Sequence, residues 1–559
     1  MEANKLMLDY VYTHEIARAN QIFLSQPLGG GVVRDYSWAQ TMDQARRMAT
    51  HIKSLGLAPG SRIAILSKNC AHFFIAELAI WLAGGTTVAI FPTETAETVR
   101  FVLQHSGASL LFVGKLDLWE QQALAVPPGL RCIAMPLAPA TPFESWETIT
   151  TRTPPLTGKV MRAPTDIAIL MYTSGSTGQP KGVMHSFAGA TAASVGMRSF
   201  IRQDVGAETE VRVLSYLPLA HIFERSWIEC TALVDGNTHV FFAETMDTFL
   251  QDLNRARPNV FMSVPRLWLK FQQGVFRKVP AKKLDFLLRI PLLGRLVGRK
   301  VLKGLGLDQV VLAASGSAPI PPELIAWYRR LGLNLMEGYA MTEDFAYSHA
   351  STAHFAAPGC VGIPMHGVEV RLSEEGEVLL KSPGQMVGYY KQPELDAEVF
   401  TPDGFFRTGD KGERSPEGLL RLTGRVKELF KTSKGKYIAP APIENLLNAH
   451  PMVELSMVSG VGQPSAYAMV VLAEDLRPRL SDPAVRDEVQ QALTQLLQKV
   501  NSVLSDYQQL RMLVVVQDPW SIENGYLTPT LKIRRNRIET AVHPRMEHWY
   551  ASENVICWA

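Results

Sequence analysis

The stretch Tyr172-Thr-Ser-Gly-Ser-Thr-Gly-Gln-Pro-Lys-Gly-Val183 carries the densest set of groups able to hold an anion. Gly175, Gly178 and Gly182 let backbone N–H groups converge with no Cβ in the way, and successive N–H groups of this kind make a concave anion site. The hydroxyls of Thr173, Ser174, Ser176 and Thr177 add donors, and Lys181 adds a positive charge. That combination suits a polyphosphate. It is not a Walker loop, which ends in Gly-Lys-Ser/Thr at a helix start; here Pro180 precedes the lysine and Gly182 follows it. A polar surface turn has a similar composition, so the reading depends on what the rest of the chain supplies.

Six further stretches supply it. Leu335-Met-Glu-Gly-Tyr-Ala-Met-Thr-Glu343 brings an aromatic ring and a carboxylate close together. Tyr339 can stack on a flat base, and Glu343 can offer oxygen to magnesium, a hard cation. Upstream, an expected strand Gln309 to Ala314 runs into Ser315-Gly316-Ser317-Ala318-Pro319. A turn at the C-terminal end of a strand is where open α/β sheets place ligands. Arg407-Thr-Gly-Asp410 and Thr423-Gly-Arg425 offer a carboxylate for the two hydroxyls of a ribose and a cation beside it. Lys532, after Thr528-Pro-Thr530, sits on an expected exposed loop, where a solvated charge is the ordinary outcome for lysine. His221, in Leu214-Ser-Tyr-Leu-Pro-Leu-Ala-His-Ile-Phe-Glu-Arg225, ends an apolar run, where a lone histidine is more often structural than catalytic.

The elements that must position these groups alternate. An apolar run Ile167 to Met171 leads into the glycine stretch, with a helix expected to start near His185. Earlier come a helix Thr41 to Leu55, a strand Arg62 to Leu66, a helix His72 to Ala83, a strand Thr87 to Phe91, a helix Thr95 to His105 and a strand Leu110 to Val113. This rhythm predicts largely parallel sheets covered by helices. From Val368 short strands and turns predict a small β unit. Beyond it, a helix Ile443 to Asn448, strands Glu454 to Val461 and Ala466 to Ala473, and a helix Pro483 to Leu504 predict a compact α+β domain. The tail Ala551 to Ala559 carries no pattern.

At 559 residues, with 47% apolar and 19% charged side chains, the chain is expected to fold into two or more well-buried domains. A net charge of +3 does not suggest nucleic acid binding. The scattered Cys70, Cys132, Cys230, Cys360 and Cys557 have neither metal nor redox spacing, which predicts free thiols in a reducing compartment. No secretion signal follows Met1. The run Phe73 to Phe91 is long enough to span a membrane, but Glu77 lies inside it and Gly84-Gly85 cuts it, so a buried helix and strand are expected instead. Residues 277–303 interleave nine Lys and Arg with leucines and carry one acid, Asp285. Such a segment can lie on an anionic bilayer or pack its apolar face while its lysines snorkel. Pro291 and Gly294 divide it.

Taken in order, these stretches resemble the AMP-forming adenylate superfamily of acyl-CoA synthetases, luciferases and nonribosomal-peptide adenylation domains. The resemblance covers nearly the whole chain. Leu217 to Arg225, the insert at 277–303 and Thr528 to Lys532 look most like long-chain fatty acid–CoA ligases. One departure is Ala340, where the family usually has glycine after the tyrosine; its methyl would narrow the channel beside the carboxylate.

The resemblance implies an α/β fold. A large N-terminal domain, 1–424, would hold two α/β sheet subdomains and a small β-barrel-like unit. A hinge at 425–427 would join it to a small mobile α+β lid, 428–559. It implies ATP, magnesium and coenzyme A as the cofactor set, and a fatty acid activated through acyl-AMP to acyl-CoA. The alternative is a fatty acyl-AMP ligase that hands the acyl group to a carrier protein. Thr173, Ser174, Gly175, Ser176, Thr177 and Gly178 would hold phosphates with Lys181. Thr173 and Glu343 would support magnesium. Gly316, Ser317, Ala318, Gly338, Tyr339, Ala340, Met341 and Thr342 would surround adenine, and Asp410 and Arg425 would hold ribose. His221 would border the acyl chain, Lys532 would bridge carboxylate and α-phosphate, Lys427 would be the pivot, and Lys431, Gly435 and Lys436 would meet coenzyme A. The partners implied are small molecules, not nucleic acid, in the cytoplasm; peripheral membrane association at its inner face and a homodimer stay open.

Overall fold

The computed structural model describes residues 5–174, 179–352, 355–357, 359–528 and 531–559, without the side chains of Ser174 and Lys427. Gly175, Ser176, Thr177 and Gly178 of the glycine stretch, and Pro529 and Thr530 before Lys532, lie outside the described residues.

The helix Ala71–Leu82 shows why the first core forms. All of its residues are buried, and each large apolar side chain so placed contributes roughly 1.5–3 kcal/mol. Gly84, at φ +88°, ends it, and the Gly85 N–H returns to the Ile80 carbonyl, the left-handed stop that glycine permits. The next strand, Thr86–Ile90, starts at once. The helix spans about 18 Å at 1.5 Å per residue, too short for a bilayer core. None of the helices among the described residues is long and apolar enough to cross a membrane.

That strand lies at the centre of an eight-stranded sheet. Its order is Gly388–Tyr389, Pro180–Ser186, Ile167–Ser174, Thr86–Ile90, Arg62–Leu66, Leu110–Val113, Arg131–Ala134 and Glu144–Ser145. From Ile167–Ser174 to Glu144–Ser145 the pairs are parallel, as the alternation of helices and strands requires. A second sheet runs Val260–Ser263, Leu312–Ser315, Leu335–Tyr339, His349–Ala350 and Ile363–Pro364, and a third runs Val211–Ser215, Thr238–Phe242, Ile22–Gly29 and Val32–Ser37. The small β unit is an antiparallel sheet of Glu369–Leu372, Glu377–Lys381, Phe406–Arg414 and Leu420–Arg425.

From Phe430 onward the buried side chains form clusters that share no member with those before it. This unit has strands Val453–Ser459, Ala466–Leu472, Leu510–Val515 and Ile556–Trp558, with helices Pro440–Asn448 and Pro483–Asn501. The tail without a sequence pattern thus ends in a strand, parallel to Leu510–Val515.

The helix expected to start near His185 is present, but an unexpected strand precedes it: Pro180–Ser186 runs antiparallel to Ile167–Ser174, with His185 buried within it. The helix begins at Phe187, where the Ser186 hydroxyl caps the Gly189 N–H. The glycine stretch therefore joins the strands of a hairpin and does not open a helix.

Candidate active site

The hairpin register places Thr173 opposite Lys181. The neighbouring strand Gly388–Tyr389 pairs Tyr389 with Val183. The Lys181 ammonium lies 5.4 Å from the centre of the Tyr389 ring, and the Tyr389 hydroxyl donates to Glu343 Oε1 at 2.7 Å. Desolvation and the Glu343 carboxylate push the phenol well above its ordinary pKa, so it stays a donor. Tyr389 therefore joins Lys181 of the glycine hairpin to the acidic residue of the Tyr339 stretch. Sequence reasoning missed it: it lies 46 residues from Glu343, in Gly388-Tyr-Tyr390, with no charge to draw attention.

A second group forms around Asp410. The strands that carry them pair Asp410 with Arg425. Arg425 Nε donates to Asp410 Oδ1 at 2.9 Å, and the Tyr339 hydroxyl donates to Oδ2 at 2.6 Å. Desolvation and Asp410 hold Tyr339 protonated, and Asp410 raises Arg425 further. The ring of Tyr339 is anchored at its tip, with Gly338, Ala340, Met341 and Thr342 around it in the chain. Each carboxylate oxygen keeps a lone pair for another donor.

Gly316, Ser317 and Ala318 follow the strand Leu312–Ser315, whose Ser315 pairs with Glu337. The turn lies at the C-terminal edge of the sheet beside Tyr339, as expected. Ser317 takes φ +68° and, with Ala318, is exposed. The Ile320 N–H donates to Glu337 Oε1 at 3.3 Å, tying the turn to the next strand; desolvation raises Glu337 to about 7. Gly316 lies against the Phe223 ring, from which a Cβ would stand 3.4 Å.

Phe223 belongs to the His221 segment. His221 Nδ1 accepts the Phe223 N–H at 3.2 Å, leaving Nε2 to carry the proton. Desolvation and the positive charge of Lys532 lower His221 to about 3, so it is a neutral donor and not an acid. Behind it lies a buried frame. Arg225 Nε donates to the Leu219 carbonyl at 2.9 Å, and Arg225 Nη1 meets Glu77 Oε1 at 2.6 Å and Glu229 Oε2 at 3.3 Å, all three side chains with no exposure. Glu77, the lone acid in the apolar helix, is there to meet this arginine. Residues Arg225–Cys230 wind as a π-helix, a form frequent at functional sites. Asn69 Nδ2 donates to the Ser215 hydroxyl and the Leu217 carbonyl, and its carbonyl accepts the Leu219 N–H.

Glu224 in this frame makes a stability prediction. It accepts the Tyr216 N–H at 3.0 Å, and desolvation raises it from 4.5 to about 8. Below 4.5 both folded and unfolded chains carry the proton. Between 4.5 and about 8 only the folded chain does, so its contribution to stability falls as pH rises, by about 1.4 kcal/mol per unit. Glu224→Gln keeps the acceptor and removes the proton. Urea unfolding across that window will show a shallower loss of stability with rising pH in the variant; equal slopes would place the Glu224 pKa in its ordinary range.

The C-terminal unit completes the cleft. Lys532 N–H donates to the Thr528 hydroxyl and its carbonyl accepts the Thr528 N–H at 2.8 Å, closing a tight turn with the side chain solvent-accessible, as expected of a loop lysine. That side chain is not merely a surface charge. Desolvation by the cleft walls and the Arg425 charge lower its pKa, against the pull of Asp410, Glu343 and Glu428. The structure thus brings Lys532 to Asp410, Arg425, Glu343 and His221. Lys431, Gly435 and Lys436 are elsewhere, on an exposed hairpin, where the two ammonium groups rest over Tyr437 and Tyr507. The backbone of Lys427 lies in a single 3₁₀ turn, Val426–Glu428, between the small β unit and the C-terminal unit.

Comparison with known proteins agrees with the fold. Residues 17–390 match the family model of the AMP-binding enzyme, and residues 428–554 match that of the AMP-binding enzyme C-terminal domain. The chain is 29% identical to the long-chain fatty acid–CoA ligase FadD15 of Mycobacterium bovis, over 97% of this chain and 96% of that one. It is 27% identical to human long-chain fatty acid–CoA ligase 1, over 90% and 80%. Among solved structures it superposes on the A-PCP didomain of carboxylic acid reductase from Segniliparus rugosus in complex with AMP with a TM-score of 0.80 at 20% identity, over 98% of this chain and 83% of that one. The anthranilate–CoA ligase AuaEII in complex with anthranoyl-AMP gives 0.78 at 20%, over 98% and 99%.

Proposed function

Because this chain belongs to the AMP-binding enzyme family, adenylate-forming enzymes that activate carboxylic acids with ATP, we propose that it converts a long-chain fatty acid to its coenzyme A thioester. In the first half-reaction a carboxylate oxygen attacks the α-phosphorus of ATP, and pyrophosphate leaves. In the second the thiolate of coenzyme A attacks the acyl carbon, and AMP leaves. Chemistry of this kind needs positioning and charge neutralisation more than a protein nucleophile.

The observation that carries this reading is the placement of Lys532 opposite Asp410, Glu343 and His221. The ribose hydroxyls would bind Asp410, with Arg425 beside it, and adenine would stack on Tyr339 against Gly316 to Ala318. The β- and γ-phosphates would bind the hairpin from Thr173 to Gly178, with Lys181 adding charge. The acyl chain would pass His221 and Phe223 with Ala340 narrowing its channel, and Lys532 would lie between the carboxylate and the α-phosphate.

The site fits magnesium of one particular kind. Glu343 Oε1 accepts the Tyr389 hydroxyl, and among the described residues Oε2 has no hydrogen-bond partner. No group of three or more His, Cys, Asp or Glu able to hold a metal occurs among the described residues. One carboxylate and the Thr173 hydroxyl suit an ion that arrives on the nucleotide and keeps its waters. Bound there, it neutralises phosphate charge. Coenzyme A would enter after the C-terminal unit turns, meeting Lys431, Gly435 and Lys436; Gly435, at φ +77°, lets pantetheine approach the backbone.

The two long-chain relatives favour the fatty acid. The test is a panel of acids from short to very long chains, scored by AMP release with and without coenzyme A. Release that rises with chain length and needs coenzyme A is expected. A preference for short or aromatic acids would reject the substrate, and acyl-AMP that coenzyme A cannot discharge would point to transfer onto a carrier protein.

A further inference from the structure

Arg534 stands two residues beyond Lys532, and the fold of their loop aims both at the rest of the molecule. Leu527 and Ile533 bridge antiparallel, and the Arg534 N–H donates to the Tyr526 carbonyl at 2.8 Å. Ile533 packs on the apolar cluster of the C-terminal unit that holds Trp520, Leu527 and Ile538. Successive side chains of a paired, extended stretch point to opposite sides, so Lys532 and Arg534 leave that core together. Arg535 turns back into its own unit, where Nη1 donates to the Val458 carbonyl at 2.7 Å and Nη2 meets Glu444 at 2.8 Å. The Arg534 guanidinium makes no hydrogen bond or ion pair among the described residues.

The place it faces is the root of the glycine hairpin. The strands Thr86–Ile90 and Ile167–Ser174 are parallel neighbours, so the chain leaves both at the same edge of the sheet. Beyond the first, the Glu94 N–H donates to the Phe91 carbonyl at 3.2 Å, and Thr95 caps the helix Ala96–Ser106. Glu94 lines a small cavity with Phe91, Tyr172, Thr173 and Pro180. Desolvation raises Glu94 to about 7, against the pull of Thr98 and of the Arg534 charge. Phe91 lies edge-on to His221, with ring centres 6.4 Å apart, so the cavity wall continues into the cleft that Lys532 faces. One loop thus sends two cations across: Lys532 toward Asp410, Glu343 and His221, and Arg534 toward Glu94, which shares its cavity with Thr173.

We infer that Arg534 binds the pyrophosphate end of ATP, and pyrophosphate as it leaves, at the root of the hairpin, with Glu94 as its partner only before the nucleotide arrives. The inference deepens the reading of the site given above and rests on it. A guanidinium presents a planar fork that matches two phosphate oxygens at once. Pyrophosphate carries more charge than the single carboxylate of Glu94 and takes the arginine from it. Lys532 then serves the point where carboxylate and α-phosphate meet, and Arg534 serves the group that departs. Because one loop carries both, a turn of the C-terminal unit withdraws the arginine with the lysine. Pyrophosphate is loosened by the same motion that clears the way for coenzyme A.

The experiment is ATP–pyrophosphate exchange by the full chain at about pH 8, where the Glu94 carboxylate prevails, with an acid that supports AMP release. The KM for pyrophosphate and the maximal rate are read separately. Arg534→Ala is expected to raise that KM roughly 10- to 100-fold, the span of a hydrogen bond to a charged group, with a smaller change in maximal rate. Arg534→Lys keeps the charge without the fork and should fall between, and it serves if thermal unfolding shows the alanine variant to be unfolded. Glu94→Gln removes the competing carboxylate and should lower the KM. Lys532→Ala, run beside them, should lose maximal rate and keep its KM. A wild-type KM in Arg534→Ala overturns the inference, as does a loss of maximal rate alone. So does an equal rise in KM in Arg534→Ala and Glu94→Gln with no further rise in the double variant, which would make the pair a contact between the two units. Absence of acid-dependent exchange in the wild-type protein would reject the reading of the site and this inference with it; loss of exchange in Lys532→Ala beside an unchanged KM in Arg534→Ala would reject the arginine's role alone.

Discussion

Lys532→Ala will lower ATP–pyrophosphate exchange by about 100- to 1,000-fold, the usual effect of removing a preorganised charge from the place where charge builds up. Thioester formation from supplied acyl-AMP and coenzyme A will stay close to wild type. The first step brings a carboxylate against a phosphate. Two such charges at 4 Å repel by about 4 kcal/mol at the effective dielectric of a partly exposed site, and an ammonium between them reverses the sign. The free protein is set for this. Desolvation and Arg425 lower the Lys532 pKa while Asp410, Glu343 and Glu428 raise it, and two further anions would favour the ammonium as these carboxylates do. In the second step the anions have already been joined and the ammonium has no such task. Exchange persisting at the wild-type rate would reject the role, and equal loss in both half-reactions would make Lys532 a structural residue.

The alternation of helix and strand was legible because the strands Arg62–Leu66, Thr86–Ile90 and Leu110–Val113 are buried almost throughout, while the helices Trp38–Ser54 and Ala96–Ser106 bury one face. Gly84-Gly85 and Glu77 marked the end and the interior charge of one helix, and both reappear in the structure, Glu77 against Arg225. The site residues were legible as types, and the structure adds how they are joined. Asp410 is claimed by Tyr339 and Arg425 at once, and Glu343 by Tyr389. Those bonds cross 71, 15 and 46 residues of sequence, a separation no periodicity spans. The strand Pro180–Ser186 was missed because tertiary pairing makes it: it lies between Ile167–Ser174 and Gly388–Tyr389, while its proline and glycine argue locally for a loop. The terminal strand Ile556–Trp558 was missed likewise, since it exists by pairing with Leu510–Val515.

The opposite loss is expected from Lys427→Pro: thioester formation from acyl-AMP falls on the order of 100-fold, as when a competent state drops to about 1% of the population, while ATP–pyrophosphate exchange continues. The sulfur of coenzyme A and the Lys532 ammonium both need the space beside the acyl carbonyl. In this structure Lys532 lies within reach of the charges of Asp410, Glu343 and Arg425, and the hairpin of Lys431, Gly435 and Lys436 is exposed on the same unit. Exchanging them requires the unit to turn, and hinges place such rotation in a few torsions at the end of an element. The 3₁₀ turn Val426–Glu428 follows directly on the strand Leu420–Arg425 that ends in Arg425. Proline fixes φ near −65°, within the range of a 3₁₀ turn, so it suits the present state and resists another. The contacts that would part in turning do not lock the unit. Arg266, itself exposed, meets Glu454, and Arg277 reaches Asp475 at 3.7 Å, but pairs at the surface are worth at most about 1 kcal/mol each. Single-turnover assays of the two half-reactions decide the matter. Loss of both in equal measure would place the pivot elsewhere, and loss of pyrophosphate exchange alone would mean that this 3₁₀ turn belongs to the thioester-forming state.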